Sequence, residues 1–498
     1  MFYLISILAV SLMSRHKVVI IGAGCAGLAA AVRLQRHHAL EEVIILEAAE
    51  GGVGGRVHSA QLRGGGPRVE RGAQWIHGQE GNVAHAIAAD LGFLDTGAGG
   101  GEGEQHCEHE ALCILSGRAV PQDEVKTLTM ALSSVEEAAQ KIPEDCWPQY
   151  SSLRDYVERA AEELLASCDL DPSLKAAYLH WWGQLQACID GARDMADTAV
   201  YQNLVYRECP GNLTTTLARG RTYQQLIETY AASVLDKVSL GKRVVKIRYS
   251  EEEVEVLTED GSQYTCDVCI ATLPLGVLKQ EHRSLFDPEL PEYKISAIEC
   301  MGFGTVVKIF ILFDISLCEV EGFVSEGFNF LRESSELEDW TDSVFGLYPD
   351  QAEDRALVAW LSGPGTEEVE ALGEAAVLAG VTRLLDTFLR PVVPALPRPR
   401  SCRVTSWGSD PRTRGAYSYL GPATPPDTPS VLGRPLAGGR LLVAGEATHE
   451  KFFGTVHGAI ETGWREADRA ARVLGIRDRD REDCPTIPAE DEIQLKRI

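Results

Sequence analysis

The stretch "KVVIIGAGCAGLAAAVRLQRHHALEEVIILEA", residues 17–48, decides the fold of this chain. A short apolar run, Val18 to Ile21, leads into a glycine-rich turn and then into an alanine- and leucine-rich segment of helical length. A second apolar run, Val43 to Leu46, follows and ends at Glu47. Two short apolar runs separated by a helix are typical of a βαβ unit, whose strands are buried in one parallel sheet. The sequence therefore predicts an α/β fold that begins with this unit.

The glycines between the first strand and the helix have the G-x-G-x-x-G spacing of a phosphate-binding turn: Gly22, Gly24 and Gly27. The first glycine of such a turn permits a tight bend, the second lets the backbone approach a pyrophosphate, and the third allows close packing of helix and strand. The helix N-terminus adds unpaired N–H groups and a partial positive charge. Glu47 can accept hydrogen bonds from a ribose diol. This combination predicts dinucleotide binding, and a glycine turn that serves packing alone is the alternative.

The composition is that of a globular protein with an acidic surface. The chain has 498 residues, and its 47 Lys and Arg against 73 Asp and Glu give a formal net charge of −26. This length favours at least two domains. Such a charge repels nucleic acid and anionic membranes and attracts cations to any cleft. A cationic substrate and plain solubility explain the acidic surface equally well, and no nucleic-acid partner is expected.

The cysteines and the two termini bear on the compartment. The 13 cysteines are an odd number spread from Cys25 to Cys484, which favours reduced thiols in an intracellular protein. The apolar N-terminus "MFYLISILAVSLM" is too short to span a bilayer, so no stable membrane anchor is expected. The C-terminal Lys-Arg-Ile is a weak peroxisomal signal, because Lys496 stands where a small residue is required. We expect the cytoplasm or the peroxisome, and the apolar N-terminus leaves secretion open as an alternative.

Further strand and helix patterns follow along the chain. The region from about 125 to 202 is mostly helical, and "LRDYVERAAEELLAS" predicts one buried helix face: Leu153, Val157, Ala160, Ala161 and Leu164. Alternating strands meet at a hairpin turn formed by Asp260 and Gly261. A last strand, "RLLVAGEA", leads into a long helix from about Val456 to Val473.

These patterns predict a cofactor domain that is assembled from separate segments and interrupted by a substrate domain. The cofactor domain is expected to comprise residues 17–85, 205–290 and 401–475, and the substrate domain residues 86–204 and 291–400. Residues 1–16 form an N-terminal extension and residues 476–498 a C-terminal tail in this division.

Several segments, in the same order, resemble those of the flavin-containing amine oxidase superfamily and, within it, of the polyamine oxidases. They are "LEAAEGGVGGRV", "KRVVKI", "TLPLGVLK" and "LLVAGEATHEKFFGTVHGAIETGWREADRAA". "GAQWIHG" also resembles the WIHG segment of animal polyamine oxidases. The resemblance extends from about Val18 to Leu474. It implies a Rossmann-like FAD-binding domain built from discontinuous segments and an α+β substrate domain.

The resemblance also implies which residues contact FAD. They are Gly22, Gly24, Cys25, Ala26, Gly27, Glu47, Gly55, Arg56, Gly72, Ala73, Gln74, Trp75, Val244, Pro274, Glu446, Thr455 and Val456. The FAD is expected to be non-covalent, since Ala416 stands where monoamine oxidases have the cysteine that attaches the flavin. The chain departs from the family at Gly51 and Gly52, where an arginine is common, so one phosphate contact is missing or comes from elsewhere.

The catalytic candidates are Lys308 and His77. From the residues alone, Lys308 is best interpreted as a lysine that snorkels from a sheet edge, and His77 as a loop histidine in solvent. The resemblance implies instead that Lys308 reaches flavin N5 through a water and that His77 lines the substrate tunnel. It also implies that Tyr417 forms one wall of an aromatic slot and that Thr455 replaces the second cage tyrosine of monoamine oxidases. The aromatic residues Phe328, Phe330 and Trp360 are as consistent with the core as with the tunnel.

The implied activity is the FAD-dependent oxidation of polyamines, namely spermine, spermidine or their acetyl derivatives. A substrate amine gives a hydride from its α-carbon to the flavin, and water cleaves the resulting imine to an aldehyde and a shorter amine. Molecular oxygen then reoxidises the flavin and becomes hydrogen peroxide. No metal is expected. An oxidase of another amine and a non-catalytic FAD-binding scaffold are the alternatives, and the preferred polyamine and the oligomeric state are left open.

Overall fold

The computed structural model describes residues 13–94, 111–332 and 339–476. The strands of these ranges are β1 (Met13–Ile21), β2 (Val43–Leu46), β3 (Ser59–Gln61), β4 (Arg68–Glu70), β5 (Leu112–Leu115), β6 (Arg118–Ala119), β7 (Val238–Ser239), β8 (Val244–Tyr249), β9 (Val254–Thr258), β10 (Gln263–Ala271), β11 (Phe286–Asp287), β12 (Gly302–Gly304), β13 (Val307–Leu312), β14 (Phe328–Leu331), β15 (Val344–Pro349), β16 (Ala356–Leu361), β17 (Ser401–Val404), β18 (Tyr417–Tyr419) and β19 (Leu441–Val443).

The α-helices of the same ranges are α1 (Cys25–Arg36), α2 (Val83–Asp90), α3 (Gln122–Ala139), α4 (Leu153–Ser167), α5 (Pro172–Asp190), α6 (Gln202–Val205), α7 (Tyr223–Tyr230), α8 (Leu275–Leu285), α9 (Glu292–Cys300), α10 (Gly365–Ala371), α11 (Glu374–Leu384), α12 (Thr428–Leu432) and α13 (Val456–Val473). None of the helices in the described ranges is both long and apolar enough to cross a bilayer.

The first sheet contains the predicted βαβ unit. Its order is β11-β8-β9-β10-β1-β2-β7, and β19 pairs with β10. Strand β1 lies parallel to both β2 and β10, with Val18 opposite Val43 and Val268. Val18 and Ile20 pack into one apolar cluster, whereas Val19 and Ile21 pack into the cluster on the other face. Both faces are therefore covered here, which explains why residues 18–21 of the strand are all apolar.

Helix α1 packs on one face of this sheet, and α13 packs against α1. Small residues allow the two helices to approach closely, because a Cβ atom on Gly463 of α13 would lie 2.2 Å from the carbonyl oxygen of Ala26. This contact joins the first and last segments of the chain. It keeps the N-terminus of α1 next to the residues that follow β19.

The second sheet has the order β17-β13-β16-β15-β14-β5-β6. Helices α3, α4 and α5 share an apolar cluster with β5 and β14, and helices α10 and α11 share another cluster with β13 and β16. Phe328 and Phe330 are fully buried in the second of these clusters. These two aromatic residues therefore belong to the core.

The structure differs from the sequence-based expectations at three places. Strand β1 begins at Met13, inside the expected extension 1–16, because residues 13–16 continue its pairing with β10. Strand β17 pairs with β13, so residues 401–404 lie in the second sheet and not with the expected cofactor segment. In α4, Leu165 is buried and Leu164 is 39% exposed, because the buried positions recur at intervals of four residues from Leu153. The assignment of whole ranges to an FAD domain and a substrate domain stays a prediction.

Candidate active site

One cavity of about 1990 Å³ connects the first sheet to the second. Single-ligand pockets usually have about 300–1,000 Å³, so this cavity has room for a dinucleotide and a further extended molecule. Its wall includes the glycine turn after β1 at one end. At the other end are the half-buried Glu136 of α3, the exposed Gln140 that follows this helix and exposed residues of the segment 203–214, so the cavity opens to solvent there. We call this second end the cavity mouth.

The glycine turn forms a cradle without side chains. Gly22 has φ = +101°, a backbone conformation that side chains rarely adopt, and a Cβ atom on Gly24 would have no neighbour within 4 Å. Gly24 is the N-cap of α1 and provides no side-chain cap, so the first N–H groups of the helix are free to bind a phosphate. Gly27 does not line the cavity. The side of Gly27 that would carry a Cβ atom faces the turn, and that atom would lie 1.9 Å from the carbonyl oxygen of Gly22. Gly27 serves the packing of the turn on α1.

Two carboxylates, the half-buried Glu47 and the buried Glu446, connect this cradle to other segments. Glu47 accepts hydrogen bonds from the backbone N–H groups of Ala23 and Ala49, both at 2.7 Å. Glu446 is 5% exposed and accepts hydrogen bonds from Arg56 Nη1 at 2.9 Å, from Gly454 N at 2.7 Å and from the Ser418 hydroxyl. Glu446 therefore brings four segments of the chain together at the centre of the cavity.

Lys308 is buried in the wall where the cavity meets the second sheet. Val307 and Ile309 face the core between β13 and α11, and the alternation along a strand directs Lys308 to the opposite side. Its Nζ donates to the carbonyl oxygens of Glu70 and Gly72 and to the side-chain oxygen of Gln74, each at 2.9 Å. The side chain is 4% exposed, which excludes the interpretation of a snorkelling lysine.

The surroundings of Lys308 lower the pKa of its ammonium. Burial lowers the pKa of Lys308 to about 7, although the Glu70 and Asp350 carboxyls act in the opposite direction. Trp360 lies opposite Lys308 in the sheet, and Nζ is 4.4 Å from its ring centroid. Trp360 in turn stacks on Trp75, with centroids 5.3 Å apart. Trp360 therefore belongs to the cavity wall rather than to the core.

Tyr417 and Thr455 lie on elements that meet at Glu446. Tyr417 begins β18, which pairs with β12, and its hydroxyl donates to the carbonyl oxygen of Cys188 at 2.6 Å. Thr455 is the N-cap of α13, where its hydroxyl accepts from Gly458 N at 3.0 Å and donates to the Phe452 carbonyl at 2.7 Å. The hydroxyl groups of both residues are thus engaged with the backbone. Their remaining surfaces face the cavity.

His77 lies in the cavity wall near the mouth and is half-buried. Burial lowers the pKa of His77, so its imidazole is neutral near neutral pH, although a hydrogen bond with the backbone of Leu213 acts in the opposite direction. Asn82 fixes this segment, because its side chain donates to the His77 carbonyl at 2.8 Å and caps α2 by accepting from Ala84 N. His77 is therefore held in place by its backbone while the ring faces the cavity.

The structure brings the candidates from the sequence together in this one cavity, Gly27 excepted. The residues that line it are Gly22, Gly24, Cys25, Ala26, Glu47, Gly55, Arg56, Gly72, Ala73, Gln74, Trp75, His77, Val244, Pro274, Lys308, Tyr417, Glu446, Thr455 and Val456. Their roles toward a cofactor or a substrate remain predictions. Gly51 and Gly52 also line the cavity, with no atoms within 4 Å of their Cβ positions.

Sequence reasoning missed many polar residues of the wall, among them a group of three carboxyls and one amide. Glu136 and Glu208 lie near the mouth, and Gln186 and Asp190 lie on α5. For the three carboxyls the one signal in the sequence was the net charge of the chain, which gives no positions, and Gln186 had no signal. They come from three separate segments, so no local motif contains them.

Known proteins are similar to this chain over most of its length. The model of the family described as "Flavin containing amine oxidoreductase" matches residues 25–471. The chain belongs to this family. Its helices, sheets and glycine cradle are thus those of a flavin amine oxidoreductase, and the fold expected from the sequence is confirmed.

Relatives of this flavin amine oxidoreductase match over nearly their full length. The "Peroxisomal N(1)-acetyl-spermine/spermidine oxidase" of Homo sapiens is 32% identical, covering 91% of this chain and 94% of the relative. "Polyamine oxidase 1" of Oryza sativa subsp. japonica is 29% identical, covering 91% and 97%. The solved structure of a putrescine oxidase bound to putrescine has a TM-score of 0.66 at 18% identity and covers 93% of this chain. That last likeness establishes a shared fold.

The flavin amine oxidoreductase family defines the cofactor and the general chemistry. The expected FAD is confirmed, and the chain is an oxidoreductase that acts on amines. The residues present fit FAD, since the cradle at Gly24 is open and the helix N–H groups behind it are free. Ala416 offers no sulfur for a covalent bond to the flavin. Cys25 also lines the cavity, and burial raises the pKa of its thiol to about 12, which leaves it unreactive.

Proposed function

We propose that this protein is an FAD-dependent oxidase of polyamines such as spermine, spermidine or their acetyl derivatives. The observation that carries the proposal is the single cavity that joins the glycine cradle to a mouth lined by Glu136 and Glu208. A cavity of this length suits an extended substrate, and carboxylates at its mouth suit a cationic one. The names of the human and rice relatives, an acetylspermine/spermidine oxidase and a polyamine oxidase, support the same substrate class.

The residues that would hold FAD are those of the cradle and of the carboxylate network. The N–H groups at the start of α1 would bind the pyrophosphate, and Glu47 would accept from the ribose of the adenosine part. Glu446 would lie along the ribityl chain, beside the N-terminus of α13. The chemistry that bound FAD would supply is the acceptance of a hydride from the α-carbon of the substrate amine and the transfer of two electrons to oxygen, which would give hydrogen peroxide. Water would cleave the resulting substrate imine to an aldehyde and a shorter amine.

The chain's own residues would prepare the substrate for this step. His77 has a neutral imidazole because burial lowers its pKa, and it would accept a proton or a hydrogen bond from the substrate nitrogen. Lys308 would hold a water against the cofactor by exchanging one of the three protein acceptors that occupy its N–H donors. Burial lowers its pKa to about 7, which allows it to exchange a proton near neutral pH. Tyr417 would form one wall of the slot that receives the reacting carbon.

Stopped-flow mixing under anaerobic conditions tests the proposal. The FAD-loaded enzyme would be mixed with spermine, spermidine or N1-acetylspermine, and the loss of flavin absorbance recorded. We expect at least one of these polyamines to bleach the flavin within seconds, while butylamine at the same concentration does not. If butylamine alone bleaches it, the protein oxidises another class of amine. If no amine does so, although FAD is bound, the protein is a scaffold and the proposal is wrong.

We further propose an intracellular location. The human relative is peroxisomal by name, and the cysteines of the described ranges, none of them in a disulfide, are consistent with a reducing compartment. Fluorescence microscopy of the full chain carrying an N-terminal tag, with and without the C-terminal Lys-Arg-Ile, would distinguish peroxisomal from cytoplasmic protein. A signal in the culture medium would contradict the proposal.

A further inference from the structure

Arg71 lines the cavity, is half-buried, and has a guanidinium without a hydrogen-bond or ion-pair partner in the described part of the chain. Its backbone is fixed, because the N–H donates to the His58 carbonyl at 2.9 Å and the carbonyl accepts from Trp407 Nε1 at 3.3 Å. A charge that is partly removed from water is unfavourable unless an opposite charge joins it. The guanidinium of Arg71 is therefore available for an anion that the protein does not itself supply.

The other half-buried arginines of the cavity wall are already engaged. Arg56 donates from Nη1 to Glu446 at 2.9 Å. Arg243 donates from Nη2 to both carboxylate oxygens of Glu281, at 2.9 and 3.0 Å. Among the half-buried arginines of the wall in the described ranges, Arg71 is thus the one that is free to bind an anion.

Positive charge is in excess around Arg71. His58 lines the same wall, and its pKa is lowered by burial and then by Arg71, Arg68 and Arg412. The carboxyl of Asp410 acts on both Arg71 and Arg412, but Arg412 holds it, with Nε and Nη2 donating to its two oxygens at 2.9 and 2.6 Å. Two guanidiniums therefore share one carboxylate.

This group of charges lies at the end of the cavity that contains the glycine cradle. The pKa of Arg412 is raised by its hydrogen bond with Asp410 and further by the Glu47 carboxyl, so Arg412 lies near Glu47. Gly51 and Gly52 line the same cavity, and nothing lies within 4 Å of their Cβ positions. The arginine that is common in the family at this point is thus absent, and the space beside the cradle is open.

The diphosphate of FAD is the anion expected at this place. It joins the adenosine ribose to the ribityl chain, so a cofactor that extends from Glu47 to Glu446 has its diphosphate between these two residues. The N-terminus of α1 provides about half a positive charge, which is less than the charge of a diphosphate. A planar guanidinium can donate two parallel N–H bonds to one phosphate group. An arginine therefore supplies both the charge and the donors that the helix N-terminus lacks.

We propose that Arg71 binds the diphosphate of FAD, with Arg412 held beside it by Asp410, and so replaces the arginine that is missing at Gly51 and Gly52. The guanidinium of Arg71 gains its partner when FAD binds. This contact does not rest on the proposed function, because FAD binding follows from the family and requires no turnover.

The first test measures how tightly the enzyme holds FAD. The FAD-loaded protein would be diluted stepwise, and the fluorescence of released FAD would give the dissociation constant at low and at high salt. Arg71→Gln should raise this constant at least about tenfold, since losing a charge-assisted hydrogen bond costs that much or more. Added salt should weaken FAD binding more in the parent than in Arg71→Gln, because it screens the contact that the variant lacks. Arg219→Gln, at an exposed position outside the cavity wall, is the matched control and should hold FAD like the parent.

A second measurement separates the diphosphate from the rest of the cofactor. ADP and adenosine would be added as competitors to the FAD-loaded enzyme, and the displaced FAD followed by its fluorescence. ADP should compete better than adenosine in the parent, and Arg71→Gln should reduce this advantage about tenfold. Circular dichroism at saturating FAD identifies a variant that has simply lost its fold. If Arg71→Gln does not fold, Arg71→Lys takes its place, and its ADP advantage should also fall, because lysine lacks the two parallel donors.

An unchanged dissociation constant of FAD in folded Arg71→Gln would overturn the proposal. A weaker binding of FAD with an unchanged advantage of ADP over adenosine would overturn it as well, since the loss would then lie elsewhere in the cofactor site. If polyamines fail to bleach the flavin while FAD binding depends on Arg71, the proposed function is wrong and the phosphate contact remains. If they bleach it and Arg71→Gln holds FAD like the parent, only the contact is wrong.

Discussion

Replacement of Lys308 by methionine should change how the stability of the protein depends on pH. Lys308 is 4% exposed, and burial lowers its pKa to about 7. An exposed lysine in the unfolded chain has a pKa of about 10.4. Between these two values the unfolded chain binds more protons at this residue than the folded protein does. Stability rises with pH wherever that is so, and Lys308 therefore costs stability at neutral pH and less at alkaline pH.

The size of the effect follows from the two pKa values. Near pH 7 the folded protein loses about 4 kcal/mol by burying this amine, and near pH 9 it loses about 2 kcal/mol. Methionine fits a similar volume and does not titrate, so the variant lacks this gain of about 2 kcal/mol. The variant also leaves the carbonyls of Glu70 and Gly72 and the Gln74 oxygen without their donor. Each lost hydrogen bond costs about 1 kcal/mol at either pH, and this part is independent of the titration.

The assay is urea unfolding of FAD-loaded protein, followed by tryptophan fluorescence near pH 7, 8 and 9 at one saturating concentration of FAD. We expect the free energy of unfolding of Lys308→Met to fall relative to the parent by about 2 kcal/mol over this range. Lys294 has a pKa that burial likewise lowers to about 7, but it is present in both proteins and cancels in the difference. Lys126→Met, at an exposed position of α3, is the control and should follow the parent. If the difference in the free energy of unfolding between Lys308→Met and the parent is the same at all three pH values, Lys308 does not have a lowered pKa in the folded protein and the reasoning is refuted.

Three further predictions concern the cavity wall and its supports. His77→Ala should remove the acidic limb of the pH profile of kcat/KM, because the parent loses activity when His77 is protonated, at a pKa that burial lowers. If the variant keeps this acidic limb and only its KM rises, His77 binds the substrate without taking its proton. Asn82→Ala should destabilise the protein by about 1 kcal/mol, because the cap of α2 is lost. Asn82→Asp keeps the cap acceptor but loses the donor to the His77 carbonyl, and it should mainly raise KM. Equal stability of the parent and Asn82→Ala in urea would contradict the first of these predictions. Gly463→Ala should weaken FAD binding in a fluorescence titration, since its Cβ would lie 2.2 Å from the Ala26 carbonyl and push α1 away, while Gly64→Ala, with open space at its Cβ position, should bind FAD like the parent.

The βαβ unit and the family could be recognised from sequence because their signals are local. The apolar runs of β1 and β2, the glycine spacing and Glu47 all lie within residues 17–48, where strand and helix periods are visible directly. The long helix from Val456 to Val473 was predicted with its observed bounds for the same reason. The one helix face that was predicted wrongly, at Leu164, depended on which of two adjacent leucines meets α3. Tertiary packing decides that choice.

The surroundings of each candidate side chain could not be predicted. From its neighbours in the sequence alone, Lys308 is best interpreted as a lysine at a sheet edge. Segments far away in the sequence bury Lys308, among them that of Glu70, 238 positions away, whose carbonyl oxygen accepts from Nζ. This burial lowers the pKa of Lys308, although the Glu70 carboxyl acts in the opposite direction. The sequence did not distinguish a core position from a tunnel position for Trp360. In the structure Trp360 pairs with Lys308 across the sheet, which places it in the cavity wall.

The sequence by itself thus determined the first βαβ unit, the cofactor cradle and the membership of the flavin amine oxidoreductase family. These features depend on spacings of a few residues, which the backbone converts directly into strand, turn and helix. Only the tertiary structure decided that Asp190, Glu136 and Glu208, which come from three separate segments, line one cavity. Electrostatic and hydrogen-bonding environments depend on distances in space, and segments far apart in sequence create these distances when they pack.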